Sequence, residues 1–352
     1  MTALQASLEL GLSVRQVRRL ISTYRQEGAV GLVHGNHGKP SPLRLSTELE
    51  QQIVALIKQQ FRDYNTLHLR QELQVQFAIS ISYTSLYRLR QRARLLSPRT
   101  RRTPKHRSRR EPKQTAGAML QTDASTHDWL EGRGPHLSLV VYIDDATNEI
   151  VGAVFREQED ATGYMLVLRD ICLKQGIPLS IYADCHTIFQ SPAKPTIEQT
   201  LKGEKPLTQF GRALKQLDVR LIPALSPQAK GRVERLFETL QDRLVKFLRS
   251  HNICTCQEAN LLLPTYLASH NALFMHPPVL EDVSYRPWPD GLDPDDIFCF
   301  QYQRTVANDN TITFDGHYLQ IPPGLSAEAI PMHGLMCACT CKVIFLFTTR
   351  TS

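Results

Sequence analysis

Long apolar runs are missing from this 352-residue chain: no stretch of about 18 apolar residues could cross a bilayer, and no charged-then-apolar leader opens it. These gaps argue against a helical membrane protein and against secretion, so a soluble cytoplasmic protein is expected. Cysteine pairs with metal-site spacing are missing too. The eight cysteines stand at 172, 185, 254, 256, 299, 337, 339 and 341 without a CxxC, which reads as free thiols in a large core-bearing protein. Cys337, Cys339 and Cys341 would share one strand face, but no histidine couple completes four ligands, so plain burial is expected there. Acidic charge is the scarcer sign. With 34 Asp and Glu against 41 Lys and Arg, the net charge of +7 favours an acidic polymer as partner, and the length suits two or three domains.

The basic residues are unevenly placed. Residues 4 to 27 predict a helix, a tight turn at Gly11-Leu12, a cap at Ser13 and a second helix. Val17, Leu20, Ile21 and Tyr24 would face inward and Arg15, Arg18, Arg19 and Arg25 outward, which makes residues 1–35 a helix-turn-helix candidate. Any small helical bundle with a basic face gives the same pattern. After the segment GLVHGNHGKPSP, Thr47 and Glu50 predict a capping box for a helix carrying Leu49, Ile53, Leu56, Ile57 and Phe61. Helices at 66–76 and 84–94 complete a second such unit over 43–96. The last of them, capped near Ser82, shows Tyr87, Arg88, Arg90, Arg92 and Arg94, and Arg88 and Arg90 are expected at DNA. Residues 97–115 form a basic linker: SPRTRRTPKHRSRREPK, with Arg101, Arg102, Lys105 and Arg107 among its cations, cannot pack on itself and would relieve its repulsion by tracking phosphates. A solvated interdomain linker is the plainer reading.

Between residues 116 and 252 the pattern alternates. Strands are predicted near 118–123, 136–143, 149–155, 178–183 and 219–223, and helices near 161–175 and 208–217 and over LIPALSPQAKGRVERLFETLQDRLVKFLR. In that last segment Ser226 suits a cap, Pro227 the first helical position, and Val233, Leu236, Phe237, Leu240, Leu244 and Phe247 an inward stripe. Glu234 falls on the polar side with Lys230 and Gln241, and Arg235 and Arg243 flank it. Asp123 and Asp184 end two apolar runs. Three carboxylates from separate segments suit divalent cations such as Mg²⁺, two of which about 3.5 to 4 Å apart can serve phosphoryl transfer. Asp144 and Asp145 read as turn residues before metal ligands. A helical connector is expected over 253–295, with a helix near 256–275. Residues 296–352 predict a small β-barrel-like module, with a turn at Asn308-Asp309-Asn310.

The blocks LQTDAS, THDWLEGRGPHLSLVVYIDDAT, FREQEDATGY, GIPLSIYADCHTIF, TQFGRAL and SPQAKGRVERL, in that order, resemble the DDE transposases of bacterial insertion sequences, in particular the ISNCY-type branch with a retroviral-integrase-like core. The resemblance runs from about residue 5 to about residue 325. It implies an α/β, RNase H-like catalytic core with N-terminal helix-turn-helix domains and a small C-terminal β module. By motif position it also implies a catalytic and metal-holding triad of Asp123, Asp184 and Glu234, served by two Mg²⁺ or Mn²⁺ ions. Lys230 and Arg232 would contact phosphate near the scissile bond. The implied partners are double-stranded DNA, as element terminal repeats and target, and further copies of the chain assembled on it. Departures are Cys185 after the second aspartate, the run RLFET after Glu234, an opening inside the first helix-turn-helix, and a tail that no longer follows the family. They make a decayed, truncated or frameshifted copy that only binds DNA the competing expectation.

Overall fold

The computed structural model describes every residue except 1, 35–36, 38–44, 99–109, 196, 202, 204–205, 225–230, 306–310, 315, 321–329, 333–342 and 349–352. The chain divides into two compact units, residues 1–104 and 105–352.

In the first unit, α1 (Ala3–Leu10) ends at Gly11, whose φ of 63° makes the left-handed turn that glycine adopts without a Cβ penalty. α2 (Val14–Glu27) starts from the predicted Ser13 cap, which forms a reciprocal box with Gln16. Only Val17 is buried on α2. Ile21 and Tyr24, expected inward, are 39% and 55% exposed, because two short helices offer little surface to cover each other. Three further helices, α3 (Thr47–Gln59), α4 (Thr66–Phe77) and α5 (Tyr83–Arg92), enclose a core of Ile53, Ile57, Phe61, Leu69, Leu73, Leu86 and Leu89. Ser46, not Thr47, caps α3: its side chain accepts the Leu49 amide, which sets Thr47 as the first helical residue.

In the second unit, β1 (Leu120–His127), β2 (Leu137–Asp144) and β3 (Ile150–Arg156) form an antiparallel meander, as their alternating and apolar runs predict. α6 (Ala161–Lys174) crosses to β4 (Ser180–Ala183), which pairs parallel with β1. After α7 (Ile197–Leu201) and α8 (Gln209–Gln216), β5 (Arg220–Pro223) pairs parallel with β4. The strand order β3-β2-β1-β4-β5 is the RNase H-like arrangement. α6 and α8 cover one face through Tyr164, Leu168, Ile171, Phe210 and Leu214. α9 (Gly231–Ser250) and α10 (Cys256–Phe274) cover the other through Val233, Leu236, Leu240, Leu244, Ala259 and Leu263. The expected cap of α9 at Ser226 and Pro227 lies outside the described residues.

The predicted connector 253–295 belongs to this core. After α10 the chain runs back along the sheet: the Leu280 amide bonds to the Gln114 carbonyl, Ser284 to Ala116, and Ile177 and Arg286 exchange both bonds. Tyr285, Trp288, Leu292, Ile297 and Phe298 bring their apolar surface to the α6 side, and α11 (Pro294–Ile297) closes the segment. Gly117, with a φ of 78°, lets the Tyr285 ring come so close that a Cβ there would stand 2.5 Å from it. Beyond lie β6 (Phe300–Thr305), β7 (Thr311–Phe314), β8 (His317–Gln320), β9 (Ile330–Met332) and β10 (Val343–Thr348). In place of the expected small barrel, the described strands form a three-stranded sheet, β6-β10-β9, and a separate hairpin, β7-β8. The Asn308-Asp309-Asn310 turn and Cys337, Cys339 and Cys341 lie outside the described residues. Among the described residues no helix is long and apolar enough to cross a membrane.

Candidate active site

Strand register decides where the acidic residues stand. In β1, Asp123 lies opposite Val141 and Ser125 opposite Leu139, and both of those β2 residues belong to the core under α9 and α10. Asp123 therefore shares the α9 face, since directly opposed residues of an antiparallel pair project to one side. β4 pairs with β1 as Leu120 with Ile181 and Gln121 with Tyr182. Continuing that register aligns Asp123 with Asp184, the residue after β4, on the same face. An Asp184 carboxylate oxygen accepts the His186 amide at 3.0 Å, which holds the turn that leaves the strand.

α9 supplies the third acid. Its apolar stripe faces the sheet, and Glu234, in the first turn, is exposed. Gln241, two turns further along the same side, donates to the Ser125 hydroxyl at 3.2 Å. Nearer the helix start, Arg232 meets Asp145, whose amide bonds to the Met119 carbonyl just before β1. α9 thus runs along β1 in the same direction, with Glu234 between these two contacts. The side chains stop short of a closed cluster: among the described residues no three His, Cys, Asp or Glu side chains form a group that could hold a metal ion. In donor type the three fit Mg²⁺ or Mn²⁺, which prefer carboxylate oxygens.

The other predicted contacts divide. Arg15, Arg18, Arg19 and Arg88 are exposed. Arg101, Arg102, Lys105, Arg107 and Lys230 lie outside the described residues. Arg90 is not a surface residue: it is 2% exposed, and its guanidinium donates to the carbonyls of Tyr64, Leu95 and Leu96 and weakly to the Thr66 hydroxyl. Burial pushes its pKa down from the usual guanidinium range. Helical periodicity could not show this, because the carbonyls that draw Arg90 inward come from the end of α5 and from the chain before α4. Arg232 is also turned inward, against Asp145 at 3.2 Å and Asn148 at 2.8 Å, instead of presenting its fork to a phosphate.

Asp144 and Asp145 bear out the turn reading and add to it. Asp144 accepts the amides of Ala146 and Thr147 within the β2–β3 turn and that of Gly117 across it. Burial raises its pKa, and those three amides oppose the rise. Asp145, fully buried, accepts Arg110, the Lys113 amide, the Gln121 amide group and Arg232. It ties the end of the basic segment, the start of β1 and the start of α9 to one carboxylate. The sequence signal for this hub is the doubled acid at a strand end, but its partners are remote in the chain.

No family model matches the chain. It is 35% identical over 318 residues to the "Putative transposase y4bF" of Sinorhizobium fredii, an alignment covering 90% of this chain and 68% of that protein. It is 32% identical over 306 residues to the "Transposase for insertion sequence IS1202" of Streptococcus pneumoniae, covering 78% of this chain and 65% of that protein. The chain thus spans about two thirds of the length of these relatives. Among solved structures, a simian T-cell lymphotropic virus intasome in complex with PP2A regulatory subunit B56 gamma matches at 18% identity and a TM-score of 0.37, over 68% of this chain and 79% of that one. The HTLV-2 integrase catalytic core domain in complex with magnesium matches at 16% identity and a TM-score of 0.34, over 45% of this chain and 88% of that one.

Proposed function

The chain belongs to the family of insertion-sequence transposases, and on that premise we propose that it binds the terminal repeats of its element and catalyses metal-dependent DNA cleavage and strand transfer. The observation that carries the chemistry is the parallel pairing of β1 with β4, whose register, continued by two residues, aligns Asp123 with Asp184 on the sheet face covered by the helix that bears Glu234. Two Mg²⁺ or Mn²⁺ ions, when bound, would activate the attacking oxygen and stabilise the leaving one. Asp123 and Asp184, half-buried, would hold the ions, with Glu234, exposed, as ligand to the second. Gln241, through Ser125, keeps α9 seated on β1, so Glu234 stays over the aspartates' face. Lys230 is assigned to a phosphate beside the scissile bond. Water attacks a phosphodiester at the element end, breaking its P–O3′ bond to free a 3′-hydroxyl and leave a 5′-phosphate, and that hydroxyl then attacks a target phosphodiester and displaces the target's 3′-oxygen, so no side-chain nucleophile is needed.

The N-terminal helical units are assigned to the terminal repeats and the basic segment to phosphates between the reading units and the core. Joining two ends requires at least two copies of the chain on DNA. The test incubates purified protein with duplexes carrying the terminal repeats and Mg²⁺ or Mn²⁺, for the native chain and for Asp123→Asn, Asp184→Asn and Glu234→Gln. Nicking and joining by the native chain, lost in each variant while DNA affinity persists, is the expected result. Site-specific binding with no metal-dependent product from the native chain would leave only the decayed, DNA-binding reading.

A further inference from the structure

The three arginines of α5 have three different surroundings, and no acid lies in its first turn. Arg90 is sealed under main-chain carbonyls, and Arg92 donates to Glu50 of α3 at 2.6 Å. Arg88 is exposed and makes no hydrogen bond or ion pair among the described residues. The same side of the helix carries Tyr83, Thr84, Tyr87 and Gln91, spaced so that all five residues form one exposed stripe. Leu86 and Leu89 occupy the opposite side, in the core.

Two large rings held in solvent need a reason. Tyr83 and Tyr87 are 47% and 46% exposed, one turn apart, with ring planes within 12° of parallel and centroids 6.3 Å apart. Among the described residues neither phenol hydroxyl has a hydrogen-bond partner. The ridge therefore offers apolar ring surface, two hydroxyls, an amide and a guanidinium, with no acidic residue on the helix to repel a polyanion. The major groove of duplex DNA is complementary to that set: it is wide enough for a helix, guanine offers two acceptors to arginine, adenine offers a donor and an acceptor to glutamine, and thymine offers a methyl group to an apolar surface.

Resting on the proposed DNA-binding role, we infer that Tyr83 and Tyr87 are specificity-determining residues of α5, packing against thymine methyl groups of the terminal repeat while Arg88 and Gln91 bond to neighbouring purines. Arg90 positions this helix and does not touch DNA.

The test selects duplexes from a random-sequence pool with the full chain, then measures affinity for the selected duplex and for the same duplex with uracil in place of thymine. The native chain is expected to lose about four-fold for each methyl group it covers. Tyr83→Ala and Tyr87→Ala are expected to weaken binding of the thymine duplex by about ten-fold and to lose sensitivity to the methyl groups. Tyr83→Phe and Tyr87→Phe keep that sensitivity, and Arg88→Ala weakens binding while keeping it. Unchanged urea midpoints identify the alanine variants as folded. A selected site bound equally well with uracil, or alanine variants with native affinity and native methyl sensitivity, would overturn the tyrosine assignment and leave the DNA-binding role standing. A pool that yields no selected site would remove that role, and the inference with it.

Discussion

Arg90 shows how one buried cation can organise a small helical unit. Three main-chain carbonyls from two separated stretches converge on its guanidinium, a geometry that the planar fork meets and an ammonium does not. Arg90→Ala would leave those carbonyls without partners, at an expected cost of about 3 kcal/mol, and Arg90→Lys should recover little of it. Denaturant unfolding, or hydrogen exchange of α4 and α5, measures the difference, and a neutral alanine variant would refute the assignment. His270, on α10, is 4% exposed, and among the described residues its Nδ1 has no hydrogen-bond partner. Burial first, then Arg243 nearby, hold its pKa down to about 4. Between about 4 and 6.5 the unfolded chain binds a proton there that the folded chain does not, so stability is full above that window and falls with acidification. The loss reaches about 3 kcal/mol at its lower end. His270→Phe should flatten this part of the stability profile, and an unchanged slope in that variant would assign the dependence to other groups.

At the scale of elements, α9 holds the proposed carboxylate through two unlike contacts. Its apolar stripe packs on β2 and α10, and its first turn is pinned by Arg232 to Asp145. Asp145→Asn keeps the shape but removes the charge that Arg110 and Arg232 share, and the expected cost is about 3 kcal/mol because two guanidiniums lose their counter-ion. Activity should fall further than stability alone explains, since Glu234 follows the same turn. A cleavage assay run beside urea melts separates these effects, and parallel losses in both would argue against a positioning role. The β-strands of this unit are readable before folding because period-two alternation and apolar runs are local signals. The strap of residues 276–292 is not: its pairing with Gln114, Ala116 and Ile177 joins segments more than a hundred residues apart, and no period announces it.

Across the whole molecule, the excess of cations is expected to appear as salt sensitivity. The logarithm of DNA affinity should fall linearly with the logarithm of salt concentration, with a slope of about −0.9 for each phosphate neutralised. Replacing Arg101, Arg102, Lys105 and Arg107 by glutamine should make that slope shallower by about one for each phosphate no longer neutralised, and leave sequence preference intact. An unchanged slope would make the segment a spacer and nothing more. One unit carries exposed basic helices and the other the carboxylate-bearing sheet.

What the sequence alone determined was the order of the longer helices and of the five strands of the central sheet, the basic segment after the N-terminal helices, and the three acids with their family resemblance. Each of these is written in neighbouring residues, as period, charge density or motif. The tertiary structure decided which polar groups face inward and which strands lie side by side. Arg90 and Arg232 turned from expected DNA contacts into internal anchors because their partners come from distant parts of the chain. Asp123 and Asp184 follow, each by two residues, the positions Gln121 and Tyr182 that β1 and β4 pair across some sixty residues. Partner choice at such separations depends on packing and on satisfying buried polar groups, and neither quantity exists until the chain has folded.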